Sequence, residues 1–444
     1  MAALMNLIES PEHEKRIGIW FYSTIRSGIG GTIKTKPADF FVREITNREE
    51  GERGNYLIVE LTKENWDTHS VISELSRKLR VSRNRLGFAG TKDKFAVTTQ
   101  KIGIWDVAEE ALERVKIASV SFKILGRSNK AVSLGDLCGN EFEIVIRDIE
   151  GRKEELKEKM SAITGEIETA GGVPNFFGVQ RFGINRPITH VVGKHLVHGS
   201  LKEAVLSYLA DIFPGESDAA KRARLLCKSG EFKEGLKQMP AFLRYEKAIL
   251  NALVKSGNEA DFLSAFNVLP KNLRKLFVHA YQAYLFNLVL SHRMEQNVPF
   301  NEALVGDVVC FRNTCGFADV NRVECVTASK VEGINRLIKH GRAFVTAPVF
   351  GCETECAGGE EGAIERRVLE ANACALTDFL IEEHPEMSSK GTRRPILVPV
   401  KLSSEDVRDD DMNPGRVKAT LTFFLPKGAY ATVVLREYMK RGAV

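Results

Sequence analysis

The clearest periodicity in this chain has two residues per repeat. Phe142, Ile144 and Ile146 alternate with Glu143, Val145 and Arg147, the pattern of a strand with one buried face. Tyr56–Leu61 reads as another strand, Arg85–Ala89 as a short one, and Ala96–Trp105 as extended chain. Between them Val71, Leu75 and Leu79 recur every four residues, with Asp67 or Thr68 placed to cap the helix they predict. The middle of the chain changes period. Leu273, Leu276, Phe277, Ala280, Tyr281, Tyr284, Leu285 and Leu288 form a broad apolar stripe at helical spacing, which reads as core. Gly351–Gly362 reads as a loop.

Strand character returns at Pro395–Val400, Ala419–Leu425 and Ala431–Arg436, with Pro426-Lys427-Gly428 as the tight connection between the last two. β-rich ends therefore flank a mainly helical middle. That pattern predicts a mixed α/β protein in which one discontinuous domain carries another inserted into it.

Composition narrows the class. The chain has 444 residues, 43% hydrophobic and 27% charged, which suits a protein of two or three domains with its own cores. No apolar run reaches the roughly 18 residues of a membrane span, and the charged N-terminal segment lacks a signal core, so a cytoplasmic location is expected. Eight scattered cysteines, with no C-x-x-C pair, are expected to be reduced thiols rather than metal ligands. His190, His195 and His198 do not share a helical face, so no metal is expected there either. A phosphate-binding G-x-x-x-x-G-K-[ST] loop is missing, and Ser27–Gly31 lacks the full dinucleotide fingerprint, so no nucleotide cofactor is expected. Asp409, Asp410 and Asp411 read as a solvated turn.

The net charge of +5 says little, but its distribution says more. Arg77–Lys101 holds eight basic residues and one acid, Asp93, a local balance of +7. Such a segment is either a solvated face or a phosphate-binding patch. Within it, Gly87-Phe88-Ala89-Gly90-Thr91-Lys92-Asp93-Lys94 places one carboxylate on a turn between two lysines. Flanking cations favour an ionised aspartate, suited to nucleophilic or general-base work, although an aspartate capping its own turn would look the same. Asn175–Gly183 packs three phenylalanines with Asn175, Gln180 and Arg181. These groups can stack and read a nucleic-acid base, or form a buried turn.

These segments together resemble the TruD family of pseudouridine synthases. The resemblance rests on Lys34-x-x-Pro37-x-Asp39-Phe40, Gly90-x-Lys92-Asp93-Lys94, and Gly139-Asn140-x-Phe142. It continues through Asn175-x-Phe177-Gly178-x-Gln180-Arg181-Phe182-Gly183, Arg393-Arg394, and Phe424-Leu425-Pro426 through Arg436-Glu437, with a weaker Leu285-Phe286-Asn287. It implies a pseudouridine synthase catalytic domain with a mixed antiparallel sheet, spanning 1–185 and 386–444. A mainly helical, TruD-specific domain spanning 186–385 would be inserted into it. It also implies Asp93 as the catalytic aspartate and Lys34 as its basic partner. Phe177 would stack on the target base, Phe40, Asn175 and Tyr430 would line its pocket, and Gln180 and Arg181 would contact the RNA substrate. Phe176 departs from the tyrosine common at its position, which removes a hydroxyl contact there. The implied substrate is tRNA, modified at uridine 13, with no cofactor. The alternative is an RNA-binding protein without catalysis.

Overall fold

Contacts divide the computed structural model into two units. It describes residues 7–257 and 261–440. One unit comprises Tyr22–Val173, Asn313–Phe317 and Val398–Val444, and the other Met1–Phe21, Pro174–Arg312 and Ala318–Leu397.

The first unit is built on an eight-stranded mixed sheet. Its strands are β1 (Phe40–Ile45), β2 (Tyr56–Glu64), β3 (Leu86–Phe88), β4 (Val97–Trp105), β5 (Val120–Ser128), β6 (Gly139–Ile149), β7 (Lys401–Asp409) and β8 (Val417–Pro426). The order is β7-β8-β6-β1-β4-β2-β5, with β3 added to β4, and only β1–β4 runs parallel. The alternation read in β6 sets its register. Phe142 stands opposite Val42 of β1 and Phe423 of β8, and Ile144 opposite Phe40 and Leu421. The two ends of the chain thus share one sheet. Helix Thr68–Leu79 covers part of it, burying Val71, Ile72 and Leu75 against Leu57, Val59, Leu61, Ile102 and Ile104. Its start is fixed by Asp67, whose carboxylate accepts from the Ser70 N–H at 3.1 Å, a cap worth about 1 kcal/mol.

Ala431–Arg436 is not a strand but part of helix Ala431–Met439. Every residue of that helix is buried, Arg436 and Glu437 included, so its burial carries no period that separates helix from strand. The middle of the chain, expected to be mainly helical with loops, also supplies strands to a four-stranded antiparallel sheet in the second unit. Its order is Thr392–Pro395, Ala343–Val349, Val308–Arg312 and Ala318–Cys325. The apolar stripe does form helix Lys271–Glu295. Helix Thr189–Val197 packs against it so closely that a Cβ on Gly193 would lie 2.0 Å from the Phe277 carbonyl oxygen. The loop expected to run to Gly362 ends earlier, at the helix Gly359–Ala371.

Arg147 belongs by parity to the outer face of β6, yet it is 2% exposed. It binds Asp39 bidentately, 2.9 Å at each oxygen, and reaches Asp410 at 2.6 Å and Asp411 at 3.0 Å. The Asp409–Asp411 turn is therefore anchored through a buried Asp410, not solvated throughout. Burial pushes the Asp410 carboxyl up, but hydrogen bonds from Asn413, the Asp148 and Met412 amides and Arg147 outweigh it and hold it well below the usual range. Replacing Arg147 by Met should destabilise the protein by about 3–5 kcal/mol at neutral pH, because Asp39 and Asp410 are left buried without their cation. The carboxyl of Asp410 is depressed in the fold, so its stabilisation is complete at neutral pH and lost as the pH falls. The gap between wild type and Arg147→Met should accordingly shrink below about pH 4, where unfolded aspartates protonate. Urea unfolding at several pH values measures both; a gap independent of pH would contradict the assignment.

Candidate active site

The loop between β3 and β4 carries Asp93 and has no regular hydrogen-bond ladder of its own. Its backbone is tied down from outside instead. Gln100 Nε2 donates to the Gly90 carbonyl at 3.0 Å, and the Lys92 N–H donates to Thr68 Oγ1 at 3.0 Å. Lys63 Nζ donates to the Asp93 carbonyl at 2.9 Å. The Lys92 side chain turns inward, forming a buried ion pair with Glu44 at 2.9 Å and a 2.8 Å bond to Asn140. This leaves the Asp93 carboxylate facing outward, with 44% of its side chain accessible, paired with Lys34 at 2.7 Å.

Lys34 is held in turn. Its backbone is left-handed (φ 57°), a conformation that costs a non-glycine residue roughly 1–2 kcal/mol, and its ammonium sits 4.3 Å from the centre of the Phe40 ring. Phe40 is buried edge-on against Phe142. Asp93, Lys34 and Phe40 are thus brought together. Tyr430 lies in the same unit, half-buried, where the chain leaves β8 and enters helix Ala431–Met439.

Asn175, Phe177, Gln180 and Arg181 fall in the other unit. Phe177 is 8% exposed, with the Arg394 guanidinium 4.2 Å from its ring centre and Phe286 packed edge-on at 5.4 Å. Asn175 donates to the Pro395 carbonyl at 2.8 Å and accepts from Arg394 at 2.5 Å. Gln180 is exposed on the short 3₁₀ turn Val179–Arg181. Arg181 lies 5.8 Å from the Phe177 ring centre, its Nε buried and without a hydrogen-bond partner among the described residues.

The basic segment divides. Lys92 and Lys101 are consumed internally, Lys101 by Glu50 at 2.8 Å, and Arg85 binds the Trp105 carbonyl. Arg77, Lys78, Arg80, Arg83 and Lys94 stay exposed. His190 is buried between Phe182 and Tyr284, and burial pushes its imidazole down to about 4, so it is neutral at pH 7. His198, Cys374 and Asp378 offer ligand atoms within 4.8 Å of one another, a juxtaposition no spacing in the sequence announced. Burial pushes the Cys374 thiol up to about 11.

The family model for "tRNA pseudouridine synthase D (TruD)" matches residues 16–438. The chain belongs to the TruD family. A relative named "Probable tRNA pseudouridine synthase D" from Methanosarcina mazei is 51% identical, covering 98% of each chain. One of the same name from Thermococcus sibiricus is 37% identical, covering 94% of this chain and 97% of its own. The crystal structure of the Methanosarcina mazei TruD target superposes with a TM-score of 0.87 at 51% identity, covering 98% of this chain and 99% of that one.

The role of Lys63, Thr68, Gln100 and Glu44 in pinning the loop of this TruD-family chain went unread in the sequence. A signal was available for one of them. Lys63 falls in phase with Leu57, Val59 and Leu61 on the inward face of β2, where an unpartnered cation has no place. Asn287 is the counterpart in the other unit. Fully buried, it donates to the carbonyls of Ile17 and Phe177 at 2.9 and 3.0 Å and accepts from the Phe177 N–H at 2.8 Å. Asn287→Leu should lower thermal stability by about 1–3 kcal/mol for each backbone group left unpaired. Calorimetry showing an unchanged melting temperature would count against Asn287 as the brace of the Phe177 segment.

Proposed function

We propose that this chain isomerises uridine to pseudouridine in tRNA, at position 13, with Asp93 as the reacting carboxylate. The observation that carries the reading is the Lys34–Asp93 pair, an exposed carboxylate on a loop whose backbone is fixed at several points. An anion presented this way can act as nucleophile or base without reorganising first. The reaction breaks the N1–C1′ bond, turns the base and joins C5 to C1′. The C5 proton is released and N1 gains one, so no oxidant or reductant enters. Asp93 could attack the sugar, attack the base or remove a sugar proton, and all three routes use the same carboxylate.

The names of the relatives support tRNA as the substrate class. The target nucleotide must leave its stack, at a cost of a few kcal/mol, and an aromatic face returns about 1–3 kcal/mol. Phe177 is proposed for that contact. Phe40 and Tyr430, in the unit that holds Asp93, are proposed as pocket lining, and Asn175, Gln180 and Arg181 as substrate contacts. The exposed cations Arg77, Lys78, Arg80, Arg83 and Lys94 suit phosphate contacts, which position RNA without reading its sequence. The catalytic domain is proposed to comprise 1–185 and 386–444, with 186–385 as the inserted domain.

Tritium release from RNA labelled at uridine C5 tests the reaction, because the new carbon–carbon bond must expel that hydrogen. A protein that only binds RNA releases none. Mapping pseudouridine in the product tRNA tests position 13. Asp93→Asn keeps the shape and removes the charge, so turnover should vanish while RNA affinity and melting temperature hold. Pseudouridine made by a well-folded Asp93→Asn variant would sink the assignment.

Phe177→Ala separates two roles. Loss of a stacking surface should lower kcat/KM by the equivalent of about 1–3 kcal/mol, whereas loss of core packing should cost about 3–5 kcal/mol of stability. A variant that melts early but turns over normally once folded would remove Phe177 from the site.

A further inference from the structure

Lys63 closes the inward face of β2 and is fully buried. Its ammonium reaches the carbonyl oxygens of Trp66 at 2.6 Å, Asp93 at 2.9 Å and Lys92 at 3.5 Å. A protonated lysine has three donors and no acceptor, so three convergent carbonyls use it completely. Two of the three belong to the loop that presents Asp93. Burying such a charge opposes folding, and apolar residues of similar volume commonly replace buried ions without loss of stability. Stability alone therefore does not account for a lysine at the end of an apolar strand face.

We propose that Lys63 is a positioning residue for the reaction: its ammonium grips the backbone of Lys92 and Asp93 from below and so holds the Asp93 carboxylate in its working place. The proposal rests on the reading of Asp93 as the reacting group. Thr68 and Gln100 fix the loop's earlier residues, but only Lys63 is bonded to the backbone of Asp93 itself among these ties.

The grip is sensitive to pH. Burial pushes the Lys63 amine down to about 8, with Asp93 and Asp67 drawing it back up and Lys92 pressing it further down. On the flanking strands Thr98 of β4 and Val120 of β5 stand opposite Lys63, and neither titrates. Losing its proton leaves Lys63 two donors for three carbonyls, so turnover should fall as the pH rises through about 8. Stability moves the other way. Unfolded lysine keeps its proton to about pH 10.4, so between those values the unfolded chain binds more protons and the contribution of Lys63 to folding stability rises. Turnover and stability that part company over this range are a signature a purely structural lysine would not give.

The test uses the full chain, assayed by tritium release in single turnover from pH 6 to 10, with melting temperatures measured alongside and Asp93→Asn as reference. Lys63→Met should lower kcat about ten- to a hundredfold at pH 7, the scale expected of a reacting group displaced by an ångström or less. KM should stay within about twofold, and the decline near pH 8 should disappear. Lys63→Arg carries a charge that does not titrate in this range; it should recover part of the rate and also lack the decline. A folded Lys63→Met with wild-type kcat and an unaltered pH profile overturns the proposal, and an inactive Asp93→Asn beside it leaves the role of Asp93 standing. An active Asp93→Asn would instead remove the reading underneath. If neither Lys63 variant folds, wild type decides: a rate that does not fall between about pH 7 and 9.5 overturns the proposal, and a fall near 8 accompanied by rising stability supports it.

Discussion

The bidentate grip of Arg147 on Asp39 is the contact from which the Lys34–Asp93 side of the sheet is built. Arg147 also exchanges both backbone hydrogen bonds with Thr32 at 2.8 Å. The segment from Thr32 to Asp39 is thus stapled to β6 at both ends, by peptide groups at one and by a guanidinium at the other. Lys34 lies inside that staple, which can maintain its left-handed backbone against the strain. Phe40 follows directly as the first residue of β1, and its ring supports the Lys34 ammonium. Without the staple neither the cation that meets Asp93 nor the aromatic beneath it would have a fixed address.

Fixed charge is arranged in two tiers around this point. The lower tier is buried and self-compensating: Lys92 against Glu44, Arg147 against Asp39 and Asp410, and Lys63 against backbone carbonyls. The upper tier is the Lys34–Asp93 pair, reachable by solvent. Surface pairs of this kind contribute little to stability. Its significance lies in where it is held, and the lower tier does the holding.

Much of this was legible in the sequence, for physical reasons that differ by element. The β6 strand announced itself because Phe142, Ile144 and Ile146 alternate with the charged Glu143 and Arg147 and with Val145. Helix Thr68–Leu79 did so through its cap and its spacing of four. Helix Ala431–Met439 was misread because burial on all sides erases the period. Arg147 was placed on a solvated face because its partners, Asp39 and Asp410, are remote in sequence and only the fold unites them. Asp93 was visible through its local company, Gly90, Lys92 and Lys94. Its supports were not, because Lys63, Thr68, Gln100 and Glu44 come from four separate elements, and only the inward phase of Lys63 hinted at one of them.

The pairing of β6 with β8 has a consequence for how the protein is made. β6 leaves the ribosome early, whereas its neighbour β8 begins only at Val417. At roughly 5–20 residues per second the nascent chain waits tens of seconds with one side of β6 unpaired. During that interval the strand's open backbone groups could template pairing with other chains. The first half of the protein is therefore the stretch for which a chaperone at the exit tunnel has most to shield. A pause in translation downstream of β6 would lengthen the exposure without altering a single residue of the finished sheet.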